Sequence, residues 1–497
     1  LNLIDKSKFI DLENIKIDIE VIRSIPEKIA VDNSIIAFKE EEGELYIAVS
    51  SELKQSVIEK LKFITNKRLK LFYADKFKIA NLINTYYCKY SVQMALENTR
   101  SGRNSNVLKS EIKSVQYSEN MNDVPIVKTV NYIINAAICK QASDIHIEPF
   151  ESYVVVRFRI DGIMHEFIKI PRDIYSHLST RIKIMSGINI TEKRMPQDGK
   201  IQYMYNKDKY DFRVSTLPVF FGEKIVIRIL HRSDKLNNLK LLGFKDNDIN
   251  IIHSMVNRPC GLILITGPTG SGKTTTVYSI LNSMNKNKIN ITSIEDPVEY
   301  MIENVNQVNV NLKLGFNFPK GLRSILRQDP DVIMVGEIRD EETAKIAIRA
   351  AITGHLVIST LHTNGALESI SRLLDMGVKD YFIRDALIGV ISQRLIRKIC
   401  PYCKKEYSPL LTEREELKVN DGLKLYKGTG CLRCENTGYK DRSVVYEIVD
   451  FKGIKKNIGD KFEWCNFRNK FKSIDDYCKD LIKSGVTTYE EFLKLKF

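Results

Sequence analysis

Gly261-Leu-Ile-Leu-Ile-Thr266 runs directly into Gly267-Pro-Thr-Gly-Ser-Gly-Lys-Thr274, and a helical stretch follows to about Met284. A short apolar run bounded by glycines predicts a buried strand. The pattern G-x-x-x-x-G-K-[ST] between a strand and a helix predicts a phosphate-binding loop. Its glycines let the backbone curl until successive N–H groups and the helix amino terminus face an anion. The lysine then reaches the outer phosphate oxygens, and the hydroxyl after it binds Mg²⁺. A glycine-rich turn without a ligand has no need of Lys273 followed by Thr274. The candidate nucleotide-binding residues are Gly267, Pro268, Thr269, Gly270, Ser271, Gly272, Lys273, Thr274 and Thr275.

Such a loop needs carboxylates delivered by neighbouring strands, and in open α/β sheets the ligand crevice lies at the carboxyl ends of strands. Ile291-Thr-Ser-Ile294 ends in Glu295-Asp-Pro-Val-Glu299, and Val332-Ile-Met-Val335 ends in Gly336-Glu337 with Arg339 close behind. Spacing alone does not assign a general base to Glu295 over Glu337. His355 and His362 flank the apolar run Leu356 to Leu361 and are candidates for sensing phosphate. Apolar strands alternate with helical stretches to about residue 396, which predicts a mostly parallel sheet covered by helices.

Beyond it, Cys400-Pro-Tyr-Cys403 and Cys431-Leu-Arg-Cys434 form C-x₂-C-x₂₇-C-x₂-C. Two such knuckles complete a closed tetrahedral Zn²⁺ site. The remaining five cysteines are scattered, as reduced thiols would be.

Working toward the amino terminus, Tyr153 to Ile160 and Ile163 to Phe167 flank Asp161-Gly162, and Asp198-Gly199 precedes Lys200 to Tyr203. Both Asp-Gly pairs are expected to form type I′ hairpin turns in a second, antiparallel domain. A helix carrying Ile126, Val130, Ile133, Ile134 and Ala137 on one face leads into it. Residues 25–90 read as a small α/β domain: Glu44 to Val49 is a strand, and Leu53, Val57, Ile58 and Leu61 follow at helical spacing behind a Ser50-Ser51 cap. Asn98 to Asn122 reads as a linker. The expected layout is 1–95, a 96–121 linker, 122–236, and 237–497 with the cysteine module at 397–447.

The 497 residues carry a net charge of +14. Lysines outnumber arginines 51 to 25, as an AT-rich genome would produce, so the charge alone does not argue for a nucleic-acid partner. The excess is densest in 151–240, with 17 basic against 10 acidic residues. Apolar runs such as Leu262 to Ile265 fall far below the ~18 residues of a membrane span. Asp5, Asp11, Glu13 and Asp18 break any secretory core near the start, so the expected place is the cytoplasm.

Taken together, Ala142-Ser-Asp-Ile-His-Ile-Glu-Pro149, Arg157-Phe-Arg-Ile-Asp-Gly162, Arg194-Met-Pro-Gln-Asp-Gly199, the phosphate loop, Glu295 to Glu299, Leu326-Arg-Gln-Asp-Pro-Asp331 with Glu337, and Gly354-His355 through His362 resemble the ATPases that drive type II secretion and type IV pilus assembly. The resemblance covers roughly 122–447. It implies a RecA-like α/β domain preceded by an α+β, PAS-like sheet domain and a small amino-terminal α/β domain, six chains forming a homohexamer. It also implies ATP, Mg²⁺ and Zn²⁺ as cofactors. Lys273 and Thr274 then resemble the Walker A lysine and magnesium ligand, Glu337 the Walker B acid and second magnesium ligand, and Glu295 the acid that orients or deprotonates water. His355 and His362 resemble the family's paired histidines, and Arg213 and Arg228 its phosphate-approaching arginines.

The implied place is peripheral, at the cytoplasmic face of the membrane against an inner-membrane platform protein, with no nucleic acid bound. Some relatives bind cyclic di-GMP through an amino-terminal module opening with Arg-Leu-Gly. This chain has no such tripeptide, so 1–95 is expected to dock a membrane protein. The cysteine pairs suit an assembly motor rather than a retraction motor. The AT-rich composition suits a Gram-positive source, which favours pilus assembly over type II secretion; a nucleic-acid translocase on the same core is the remote alternative. After Gly438-Tyr439 the sequence departs from the family's glycine pattern, and the last fifty residues match only loosely.

Overall fold

The computed structural model describes residues 4–10, 12, 17–76, scattered positions between 78 and 94, 125–205, 208–230, 238–284, 286–420, 422–434, 436–451 and 471–496. The expected linker at 96–121 lies outside the described residues. The chain divides into two compact units, Leu1–His231 and Arg232–Phe497.

The first unit holds two sheets. Strands β1 (Ile4–Phe9), β2 (Ile35–Glu41), β3 (Glu44–Val49) and β4 (Arg68–Tyr73) form one in the order β1-β4-β3-β2. Helix α1 (Gln55–Thr65) joins β3 to β4 and buries Ile58 and Leu61. It starts behind Lys54, not at the expected Ser50-Ser51 cap. Ser50 is still held by the sheet, its N–H donating to the carbonyl of Ser34 at 3.3 Å, so the chain turns later.

The second sheet comprises β5 (Asp144–Pro149), β6 (Tyr153–Ile160), β7 (Ile163–Pro171), β8 (Gln197–Tyr205), β9 (Asp208–Val219) and β10 (Gly222–Leu230), antiparallel in the order β7-β6-β5-β10-β9-β8. Period-two alternation sends Ile145, Ile147, Phe158, Phe212, Ile225 and Ile227 into a core with residues of α2 (Pro125–Cys139) and α3 (Tyr175–Ser186). Asp144, Arg157, Arg213 and Arg228 take the other face. Asp161-Gly162 makes the expected β6–β7 turn, with φ of 48° and 86°.

Asp198-Gly199 does not make a turn. Both residues lie inside β8, opposite Ser215 and Val214 of β9. The glycine is required there for space, since a Cβ would sit 2.4 Å from the carbonyl oxygen of Ser186 and 2.7 Å from the Ile188 side chain.

The second unit is built on seven strands: β11 (Gly261–Thr266), β12 (Ile291–Glu295), β13 (Asn306–Asn309), β14 (Val332–Val335), β15 (Leu356–Leu361), β16 (Leu387–Ile399) and β19 (Tyr439–Asp450), in the order β13-β12-β14-β15-β11-β16-β19. The first six are parallel, and β19 pairs antiparallel with β16. Strands β11, β12, β14 and β15 are buried throughout, as the unbroken apolar runs required. A small ribbon of β17 (Lys404–Tyr407) and β18 (Leu425–Gly428) lies between β16 and β19 in sequence.

The loosely matching carboxy-terminal region belongs to this core. Helices α6 (Ile474–Lys483) and α7 (Tyr489–Leu495) bury Tyr477, Cys478, Ile482 and Phe492 with β16 and β19 residues. Arg397 of β16 grips Glu491 with Nε (3.1 Å) and Nη2 (2.7 Å), while its backbone N–H donates to the other carboxylate oxygen at 3.0 Å. The guanidinium also lies 3.8 Å over the Tyr439 ring. Burial alone would raise the Glu491 pKa, but hydrogen bonds from Arg397 and Lys494 outweigh it and hold the carboxyl below its ordinary 4.5. A depressed carboxyl pKa stabilises the fold above the unfolded value and loses that contribution as pH falls through the folded value. Glu491→Gln should therefore cost about 2 kcal/mol in denaturant unfolding at pH 7. The gap to wild type should narrow as the pH is taken below 4.5; an equal gap at pH 7 and pH 3.5 would rule out the charge.

Candidate active site

The phosphate loop curls because its strand stops dead between two neighbours. β11 pairs with β15 from Gly261↔Leu356 to Thr266↔Leu361 and with β16 on its other edge. Beyond Thr266 the chain must leave the sheet plane. Gly270 and Gly272 take φ of 78° and 86°, which L side chains adopt at a cost. Helix α4 (Lys273–Ser283) then starts with its free N–H groups toward the loop. Lys273 is buried, and its Nζ donates to the carbonyls of Gly267 (2.9 Å) and Pro268 (3.0 Å). Burial lowers its pKa to about 8, partly offset by the charge of Glu337. Thr269, Gly270 and Thr274 are exposed, so the loop rim and the candidate Mg²⁺ hydroxyl face solvent. Lysine, helix terminus and exposed hydroxyl fit a nucleotide triphosphate carrying Mg²⁺.

Glu337 follows β14 by one residue and lies beside this loop. It pairs with Arg339 Nη2 at 2.5 Å and stands 3.6 Å from His362 Nε2. The Thr360 hydroxyl donates to Gly336 O (2.7 Å) and the Ile338 N–H to Thr360 O (3.1 Å), which ties the ends of β14 and β15 together. His362 is held below its ordinary 6.5, first by burial and then by the charge of Lys273. Lys273, Glu337, Arg339 and His362 thus form one cluster.

His355 does not join it. That residue precedes β15, so six strand residues place it roughly 20 Å from His362, at the opposite end of the sheet. Its ring Nδ1 lies 3.2 Å from Ala350 O, and its own carbonyl accepts from Gly261. Two histidines spaced by one strand length share no site within the chain.

Glu295, expected at the water, points into the core. Ser293 Oγ (2.6 Å) and Gln307 Nε2 (3.1 Å) donate to one carboxylate oxygen, and the Tyr278 hydroxyl donates to the other. With 3% exposure and both oxygens engaged, Glu295 anchors the end of β12 to α4. Burial next to Glu295 pushes the Tyr278 pKa up, so the phenol remains the donor. Glu299, half-buried four residues on, has its N–H 3.3 Å from the same hydroxyl.

In the first unit, Arg213 and Arg228 stand opposite each other on β9 and β10. Register extends the row to Arg159 and Asp144 on one side and Lys200 on the other. Arg228 Nε donates to Asp144 Oδ1 at 3.1 Å. This row of the polar sheet face therefore presents four cations and one acid.

The four paired cysteines converge. Their sulfurs lie within 4.8 Å of one another, with Cys400–Cys431 and Cys403–Cys434 at 3.8 Å and Cys431–Cys434 at 3.6 Å. A tetrahedral ion with bonds of about 2.3 Å needs sulfurs about 3.8 Å apart, so the cage fits Zn²⁺. The N–H groups of Cys431 and Gly438 point at the Cys434 sulfur (3.2 and 3.3 Å), favouring a thiolate.

A mostly parallel sheet with a phosphate loop at the end of β11 and an acid beyond the end of β14, one strand removed, defines a P-loop ATPase. The family model described as "Type II/IV secretion system protein" matches residues 119–494, and one described as "MshEN domain" matches 6–89. The chain is 38% identical over 458 residues to the type IV pilus assembly ATPase PilB of Myxococcus xanthus, covering 90% of this chain and 80% of that protein. It is 44% identical over 384 residues to type II secretion system protein E of Pseudomonas aeruginosa, covering 76% of each. Its fold resembles the Legionella pneumophila ATPase DotB at a TM-score of 0.57 and 20% identity, across 77% of this chain and 97% of that one. The chain belongs to the type II/IV secretion ATPase family and is an ATP-hydrolysing enzyme. Among its described residues no helix is long and apolar enough to cross a membrane.

Tyr278 carried no signal in the sequence, being one aromatic among the apolar positions of a helix. Tyr278→Phe leaves buried Glu295 one donor short and should cost about 1–3 kcal/mol in chemical unfolding. A neutral result would mean that the carboxylate finds another donor.

Proposed function

We propose that this chain is the hexameric ATPase of a type IV pilus assembly machine, attached peripherally at the cytoplasmic membrane face through a platform protein. Support comes from the span of the likeness: the pilus relative matches 90% of the chain, amino-terminal region included, and the secretion relative 76%. Type II secretion through a pseudopilus is the alternative. Residues 1–95 form the docking domain, 96–121 a linker, 122–236 the arginine-bearing sheet domain, and 237–497 the RecA-like domain with its 397–447 zinc module.

Hydrolysis of a terminal phosphate needs positioning and charge neutralisation more than covalent chemistry. Loop N–H groups and Lys273 hold the phosphates, Lys273 exchanging the Gly267 and Pro268 carbonyls for phosphate oxygens. Thr274 and Glu337 would hold Mg²⁺, which would neutralise negative charge on the bound nucleotide. His362 and Arg339 fix Glu337 in place. Glu295 acts by anchoring the loop that carries Glu299, and the half-buried acids Glu337 and Glu299 handle the attacking water. Arg213 and Arg228 complete the charge when the sheet domain closes on the nucleotide, and that closure moves the pilus.

Lys273→Ala should abolish phosphate release. Arg213→Ala or Arg228→Ala should each slow it by about a hundredfold with the ring intact. Near-normal rates for both arginine variants would return those residues to the surface. Surface filaments recorded with and without the chain in its own cell separate pilus assembly from secretion.

For the metal, elemental analysis should find one zinc per chain, and Cys403→Ser should lower thermal stability more than nucleotide affinity. Purified protein free of zinc would refute the site.

A further inference from the structure

Both sides of the phosphate cluster hang on three consecutive residues of β16. Gln393 is 1% exposed, and its Nε2 donates to the carbonyl of Ser271 at 2.8 Å. Its backbone carbonyl fills the space beneath Gly267, where a Cβ would come within 2.3 Å, and its amide nitrogen lies 3.3 Å from a Cβ built on Gly272. The underside of the phosphate loop is therefore seated on Gln393. Its other amide atom, Oε1, is buried without a hydrogen-bond partner among the described residues, as are Ser271 Oγ and Thr266 Oγ1. Unpartnered buried polar atoms are costly, and a core position that keeps one owes its residue to something other than stability.

The neighbours of Gln393 point the other way, as strand alternation requires. Arg394 Nη2 donates to Asn364 Oδ1 at 3.0 Å, and the Ser392 hydroxyl lies 3.5 Å from Asn364 O. Glu447 of β19 stands opposite Ser392 and accepts the N–H of Ala366 at 2.6 Å, at the start of helix α5 (Ala366–Asp375). Asn364 and Ala366 bound the turn that leaves His362. One face of the β16–β19 pair thus holds the phosphate loop, and the other holds the histidine loop.

We propose that Gln393, Arg394 and Glu447 are positioning residues that set Lys273 and His362 in register across the nucleotide. Gln393 acts through the phosphate loop, and Arg394 and Glu447 act through the 362–366 turn. The inference rests on the reading of the phosphate loop as the nucleotide site.

The two arms predict different kinetic signatures. In the full chain, Gln393→Leu should raise the Kd for a fluorescent ATP analogue and the KM for MgATP by about tenfold, with kcat within about threefold. Arg394→Ala and Glu447→Ala should lower kcat by about tenfold and leave KM within about threefold. Glu447→Gln keeps a carbonyl oxygen for the Ala366 N–H and should restore most of that loss. Should Gln393→Leu fail to fold, Gln393→Glu, which turns a donor into an acceptor against the Ser271 carbonyl, carries the same expectation. Wild-type Kd and KM in the Gln393 variants would overturn the proposal, as would a Glu447→Ala defect that Glu447→Gln leaves unrepaired. Lys273→Ala separates the two levels: if it still binds the analogue, the nucleotide site itself is misassigned. If it loses binding while Gln393→Leu binds normally, only the positioning role fails.

Discussion

The site depends on β11 being paired on both edges and buried on both faces. Its six residues are held by β15 and β16 and covered by helices, so none of its backbone groups is free to adjust. That rigidity fixes where the chain leaves the sheet, and a curl of glycines is the way out that still presents N–H groups to an anion. Lys273 pays the cost, since its ammonium is drawn under the loop and depressed to a pKa of about 8. Phosphate oxygens would offer it stronger partners than the two carbonyls it now contacts.

Local chemistry was legible in the sequence, and parity and distance were not. The phosphate loop announces itself because strand, glycines, lysine and helix are contiguous. The cysteine cage does so because two tight turns each bring a pair of sulfurs together. Two identical dipeptides show the limit: Asp161-Gly162 makes a turn, whereas Asp198-Gly199 lies within a strand, its glycine chosen for closeness to Ser186. The sequence cannot distinguish a glycine selected for its φ from one selected for its missing Cβ.

The same reasoning explains the catalytic candidates. Glu295 and Glu337 both end strands, but Glu295 is still part of β12 and points inward, whereas Glu337 lies beyond β14 and reaches the cluster. His355 and His362 look like a pair on paper and are separated by the full length of β15. Gln393 is one polar residue among several in β16, and only its contact with Ser271, 122 positions away, gives it a role.

The borders of the seven-stranded sheet bear on how another chain can meet this one. One border is β13, four residues long; the other is β19, on which α6 packs. Long open borders invite another chain to add a strand through backbone hydrogen bonds, which any sequence can supply. Here β13 offers a ladder of only four residues, and β19, twelve residues long, has α6 packed against it. At the β13 border a strand added by another chain would gain few backbone hydrogen bonds, so whatever meets that border has to be recognised by side chains, which surface substitution can change without disturbing the sheet.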